Sequence, residues 1–148
     1  MSVKTSSNRF SYDALTALQP TGSVAVTSSG ASTNSIPLDV LGAYWNAGDV
    51  ADPLEFAIVI ETTAVGGTTP TFSAAVQVAP DSGAFAAPVA IVTEAITGAG
   101  RTVLIVERDD VINALAGALV GSLRLYLTLG GTSPTITYTA YCAPLPGM

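Results

Sequence analysis

Histidine is absent from this chain, and its absence removes much catalytic chemistry before any fold is considered. A serine or cysteine nucleophile of the Ser-His-Asp or Cys-His type hands its proton to an imidazole. Imidazole is also the commonest ligand of a catalytic zinc. Carboxylates remain. Glu55, Glu61, Glu94 and Glu107 stand in strand-like runs, and a glycosidase needs only two such groups flanking the bond it breaks. Glu61, however, comes just before a turn-like Gly-Gly segment, and the sequence lacks the aromatic clusters that hold a sugar ring. Asp49, Asp52 and Glu55 are spaced by three, which could bring hard oxygen ligands to a calcium ion. No EF-hand pattern accompanies them, and a charged loop is ordinarily just solvated. Neither Gly66-Gly67 nor Gly98-Ala99-Gly100 is followed by Lys-Ser or Lys-Thr, so neither reads as a phosphate loop. The single cysteine, Cys142, excludes an intramolecular disulfide and a thiolate zinc cage. It falls on the apolar side of its strand and reads as a small buried hydrophobe. The chain is therefore expected to be no enzyme and to need no metal, other cofactor or small-molecule substrate.

Contact chemistry is what remains. Tyr44 and Trp45 lie in an irregular loop, Leu41 to Pro53. Such aromatics either plug the end of a β body or anchor a protein interface, where Trp and Tyr are enriched. Phe10 and Tyr12 lie in the polar stretch Met1 to Leu18. That stretch reads as an extended arm packed on the body or on a neighbour, or as a frayed terminus. Phe10, Tyr12, Tyr44 and Trp45 are the candidate contact residues.

Composition limits the partners. The 148 residues are enough for one domain with a sizeable core. They divide into an N-terminal arm over residues 1–22 and a body over residues 23–148. Charged residues make up 11% of the chain, the net charge is −6 and the mean hydropathy is +0.51. Only five cations are present, too few for the clustered Lys and Arg that phosphates require, so no nucleic acid is expected. No apolar run approaches the ~18 residues of a membrane helix, and no membrane is expected. The N-terminus lacks the apolar core of a signal peptide. Apolar residues are instead spread over short alternating runs, and some are expected to cover contacts between subunits.

The elements that would position the contact residues are strands. Leu123, Leu125, Leu127 and Leu129 alternate with Ser122, Arg124, Tyr126 and Thr128, as do Ile136, Tyr138, Ala140 and Cys142 with their neighbours. A period of two marks a sheet with one buried face. Gly130-Gly131 and Pro134 between these runs predict a turn and hence a β-hairpin over Ser122 to Cys142. Gly66 to Thr71 (GGTTPT) repeats the chemistry of Gly130 to Thr135 (GGTSPT) and predicts a second hairpin, Leu54–Thr62 against Thr71–Ala79. Loops of Gly, Thr and Pro commonly join strands, and that reading is preferred because the runs before the two segments do not align. If the two are equivalent, Phe72 and Ile136 share a core role, as do Val78 and Cys142. Further strands are expected at Ser23–Ser28, at an edge around Ile36 and Leu38, at Val89–Ile96, and at Arg101–Glu107 as a central strand apolar on both faces. Asp109-Asp110 opens one short helix in which a carboxylate caps and Val111, Leu115 and Leu119 share a face. The expected class is all-β, a two-sheet sandwich or jelly roll of about eight strands with at most one short helix.

Three segments carry a family resemblance: ASTNSIPLD (Ala31 to Asp39), TFSAAVQVAPDSGAFAAPVAI (Thr71 to Ile91) and SLRLYLTL (Ser122 to Leu129). In that order, in a match that covers Ala31 to Cys142, they resemble the small capsid cement, or decoration, proteins of tailed bacteriophages, closest to the jelly-roll cement family described from a Bordetella phage. Asp81-Ser82-Gly83-Ala84-Phe85 with Pro88 is the most telling piece. The resemblance implies a jelly-roll subunit on the outer surface of the virion's capsid, made in the host cytoplasm, that binds the major capsid protein and reinforces the shell. It implies self-association, with a dimer favoured over a trimer, and carries no catalytic residues. The stretch before Ala31 is longer than usual for the family, and Glu107 to Gly121 is an added or altered segment. A receptor- or glycan-binding head on a phage tail or fibre is the alternative from another functional class, and a self-assembling tail-tube subunit is a third.

Overall fold

A computed structural model describes residues 16–38, 55–81, 83–118 and 121–144. Their elements are β1 (Ala17–Gln19), β2 (Gly30–Ala31), β3 (Ile36–Pro37), β4 (Phe56–Ala79), β5 (Val89–Ile96), β6 (Gly100–Val106), α1 (Arg108–Leu115) and β7 (Ser122–Pro144). The class is all-β with one short helix among the described residues. Hydrogen bonds join the seven strands into one antiparallel sheet. Among the described residues the strands thus make two halves of one hydrogen-bonded sheet, where the alternation predicts two sheets.

Two strands carry both halves. β4 and β7 pair from Phe56 opposite Pro144 to Ala79 opposite Ser122. The two expected hairpins do not form. Each Gly-Gly-Thr-Xaa-Pro-Thr segment continues its own strand, and the segments face each other, Gly66 opposite Thr135 and Thr71 opposite Gly130. The reason lies in the flanking runs. Leu123, Leu125 and Leu127 pair with Val78, Val76 and Ala74 rather than with their own continuation, while Ile58 and Ile60 take Cys142 and Ala140. Every apolar run of the two strands is thereby flanked on both sides.

The glycines serve a bend instead of a reversal. β5 pairs with Phe72–Val78 and β6 with Phe56–Thr62, so Ile96 lies opposite Phe72 and Gly100 opposite Thr62. Four residue steps from Ile96 to Gly100 span at most ~14 Å, and partners across a ladder lie ~5 Å apart. Thr62 and Phe72 are therefore within roughly 25 Å, whereas ten residues of straight strand cover ~33 Å. The β4–β7 ribbon must bend between them. Positive φ angles mark where it does so, at Gly67 and Thr69 on β4 and at Gly131 and Ser133 on β7. The matched positions make the two repeats structurally equivalent. Phe72 and Ile136 are both buried, as are Val78 and Cys142.

The alternation then builds one core. Phe56, Ile58 and Ile60 from one half share a cluster with Phe72, Val76 and Val78 from the other, closed by Leu123, Leu125, Leu127, Ile136 and Tyr138. A small second cluster of Val59, Tyr141, Ala143 and Val103 lies on the other face of the first half. It accounts for the apolar residues on both sides of β6, which was expected to be central yet pairs with β4 alone among the described strands. Ser23–Ser28 is not a strand. Val24 is 84% exposed, and Val26 makes only an isolated bridge to Ile136. Ile36–Pro37 is the short strand expected there, paired on one side to Leu123 and Ser122. Ala17–Gln19, placed by sequence in the arm, pairs with the end of β7 and buries Leu18 in the core.

Helix α1 starts where the acidic pair suggested, but no carboxylate caps it. Glu107 is the extended cap residue and makes no side-chain bond. Asp109 and Asp110 lie within the first turn, where negative charge suits the helix dipole. Ala116 in the left-handed conformation ends the helix, and Val111, Ala114 and Leu115 are its buried residues.

Candidate functional site

The carboxylates read as possible catalytic groups are mostly dispersed. Glu61 stands opposite Arg101 across β4 and β6 and forms an ion pair with it. Both side chains are about a third exposed, where such pairs contribute little. Glu94 is exposed on β5, bonded to the other half of the sheet. Glu55 and Glu107 do come together at the open end of β4 and β6, lining a surface depression of about 300 Å³ with Arg108 and Asp109. Among the described residues no three His, Cys, Asp or Glu side chains are grouped to hold a metal ion. Asp49 and Asp52, the other members of the calcium reading, lie outside the described residues, as do the candidate contact residues Phe10, Tyr12, Tyr44 and Trp45.

Cys142 is buried on the core face of β7, and burial pushes its thiol well above the usual range. A thiol held neutral is a poor nucleophile and a poor ligand. Burial likewise raises Tyr138 to about 12. Tyr141 is raised by burial first and then by the charge of Glu61, with Arg101 acting the other way. These are groups of a packed interior.

A second polar surface lies on the other half, behind Leu125 and Leu127. The register sets Arg124 opposite Gln77 and Tyr126 opposite Ala75. Directly opposed residues share a face, so these side chains stand on the side of the sheet away from the core. Ser73, Thr128, Thr93, Ala95 and Ala31 extend that face on four strands, all of them exposed or half-buried. The result is a ground of small side chains around Arg124 and Tyr126.

Arg124 is fixed there by three neighbours. Its Nε donates to Gln77 Oε1 at 2.7 Å. Its guanidinium lies 4.4 Å from the centre of the Phe85 ring and 5.8 Å from that of Tyr126, within the range where a cation is drawn to an aromatic face. Phe85 is held in turn by the turn that precedes it. The Asp81 carboxylate accepts backbone N–H bonds from Gly83, Phe85 and Ala86 at 3.1, 3.0 and 3.2 Å. Ser122 Oγ donates to the Asp81 carbonyl. The Phe85 amide is the main cause that holds the Asp81 carboxyl below its usual value, with desolvation opposing it. Phe85 itself is only 8% exposed and takes the left-handed conformation at φ 51°.

None of this cluster was among the sequence candidates. A signal was present, because Arg124 and Tyr126 are two apart on the polar side of an otherwise regular strand. What the sequence could not display is that the Asp81–Phe85 turn brings the Phe85 ring against Arg124 of that strand. Comparison with known protein families, with curated proteins and with solved structures finds no match.

Proposed function

We propose that this chain is a capsid cement protein, which binds the outer surface of an assembled phage head through the major capsid protein and stabilises it. One observation carries the reading. The three segments most like the cement family are far apart in sequence, yet the described strands they contain adjoin in one half of the sheet. Ala31 pairs with Tyr126 and Ile36 with Leu123, while Phe72–Ala79 lies between Ser122–Leu129 and Val89–Ile96. A resemblance that follows a folded surface is better grounded than one scattered over unrelated loops.

The physics of the role suits such a body. A shell filled with DNA fails where its subunits separate. A rigid body that binds only the assembled shell adds its binding free energy to what must be lost before they part. A sheet with the same two strands running through both halves orders little further on docking, which keeps the entropic cost low. The test is electron cryomicroscopy of particles assembled with and without this chain. Added density on the outer surface and a higher disruption temperature are the expected result. Binding to a glycan array without any density on shells would favour the receptor-binding alternative instead.

A further inference from the structure

We propose that the open face around Arg124 and Tyr126 is the surface that seats on the shell, and that Arg124 receives a carboxylate of the capsid protein there. The inference rests on the shell-binding reading and names the contact within it.

The two halves of the sheet differ on their outer sides. On the first half Val59, Tyr141 and Ala143 are buried, Ile105 on the same face is partly exposed, and the cation there, Arg101, already has Glu61 as its partner. On the second half the equivalent side is open, and it bears a cation in a chain of net charge −6. Gln77 takes one of the five guanidinium N–H donors. Among the described residues Arg124 meets no carboxylate, whereas Arg101 has Glu61. Phe85 and Gln77 already hold Arg124 in one geometry, so little side-chain freedom remains to be lost when a carboxylate takes the free fork. Tyr and Arg are also the side chains on which binding energy concentrates at protein interfaces. Small neighbours around them let a flat partner approach.

Among the described residues, a second copy seated face to face offers Arg124 no carboxylate. About a two-fold axis the same patch meets itself, and this patch holds no carboxylate among the described residues. Glu94 stands opposite Ala74, a residue of the core face, and the Asp81 carboxylate is already occupied by backbone amides. Self-association through this face would bring neither arginine a carboxylate from the described residues. A different protein that offers an acidic side chain on a flat surface satisfies them.

The experiment titrates purified shells lacking this chain with full-length wild type, Arg124→Glu, Arg124→Lys and Tyr126→Ala, each first checked for an unchanged strand spectrum and melting transition. Arg124→Glu is expected to weaken binding by at least ~30-fold, the range for removing one partner of a desolvated charge pair. Arg124→Lys, which keeps the charge and loses the fork, falls between it and wild type. Tyr126→Ala leaves Gln77 and Phe85 on Arg124, so it tests the face even if Arg124→Glu does not fold; it is expected to lose ~10-fold. Wild-type binding that Arg124→Glu and Tyr126→Ala leave unchanged overturns this assignment alone. No binding by wild type overturns the shell reading and this assignment with it.

Discussion

Gly131 is pressed against the carbonyl oxygen of Thr69, so closely that a Cβ on the glycine would stand 2.5 Å from it. Across the ribbon Gly67 bears the same relation to Ser133, at 2.9 Å. Both glycines also have φ in the left-handed half, at 94° and 119°. Space and backbone therefore demand glycine independently. Gly131→Ala and Gly67→Ala are each expected to cost roughly 2–4 kcal/mol, through strain at φ > 0 and displacement of the opposite strand. Gly98 meets nothing within 4 Å and lies in the shorter connection from β5 to β6. Gly98→Ala is expected to stay within ~0.5 kcal/mol of wild type. Denaturant midpoints of the three variants check this.

The same relationship marks where the sequence was readable and where it was not. Alternation located the core residues of β4 and β7, because a period of two needs only the local chain to be visible. Pairing is a different matter. Gly-Gly followed by Thr and Pro is compatible with both a reversal and a bend, and the choice depends on which distant run offers the better apolar partner. Leu125 opposite Val76 and Ile58 opposite Cys142 settle it, at separations that no local pattern reports. For the same reason Arg124 was legible as a polar-face residue, while its stacking on the Phe85 ring was not.

Leu125 and Val24 give the contrast between an alternating residue that pairs and one that does not. Leu125 is fully buried between strands, and Val24 is 84% exposed in a run with the same local pattern. Leu125→Ala is expected to cost ~2–5 kcal/mol, from lost transfer energy plus the cavity left behind. Val24→Ser is expected to change stability by less than ~0.5 kcal/mol. Thermal melts of both variants decide whether the core follows the pairing register or the sequence pattern.

Tyr138 and Cys142 tie stability to alkaline pH. Both are acids whose values are raised by burial, Tyr138 from 10.0 to about 12 and Cys142 upward from 9.0. The unfolded chain therefore releases these protons at lower pH than the folded one. Their contribution is complete below about pH 9 and is lost progressively as pH rises through the ordinary values towards the raised ones. Unfolding free energy at pH 11 is expected to be lower than at pH 8 by on the order of 2 kcal/mol. Tyr138→Phe and Cys142→Ala should each flatten that slope. A thiol reagent should leave Cys142 unmodified in the native protein and react once denaturant is added.

Asp81 supplies the opposite sign. Its carboxyl is held below 3.8, chiefly by the Phe85 amide, so the bonds that close the Asp81–Phe85 turn are complete above that value and are lost as pH falls through the lowered one. The Gly83, Phe85 and Ala86 amides are its donors, and their hydrogen-exchange protection reports on it directly. Protection at these three amides is expected to fall in Asp81→Ala at neutral pH, and in the wild type under acid, while the amides of Leu125 and Val76 keep theirs. Because Phe85 is the ring beneath Arg124, loosening the turn should also broaden the Arg124 Nε resonance without shifting the global melt to the extent that Leu125→Ala does. Equal protection at Gly83, Phe85 and Ala86 in both proteins would mean that the backbone holds this turn without the carboxylate, and that the ordering of Arg124 begins at Phe85 rather than at Asp81.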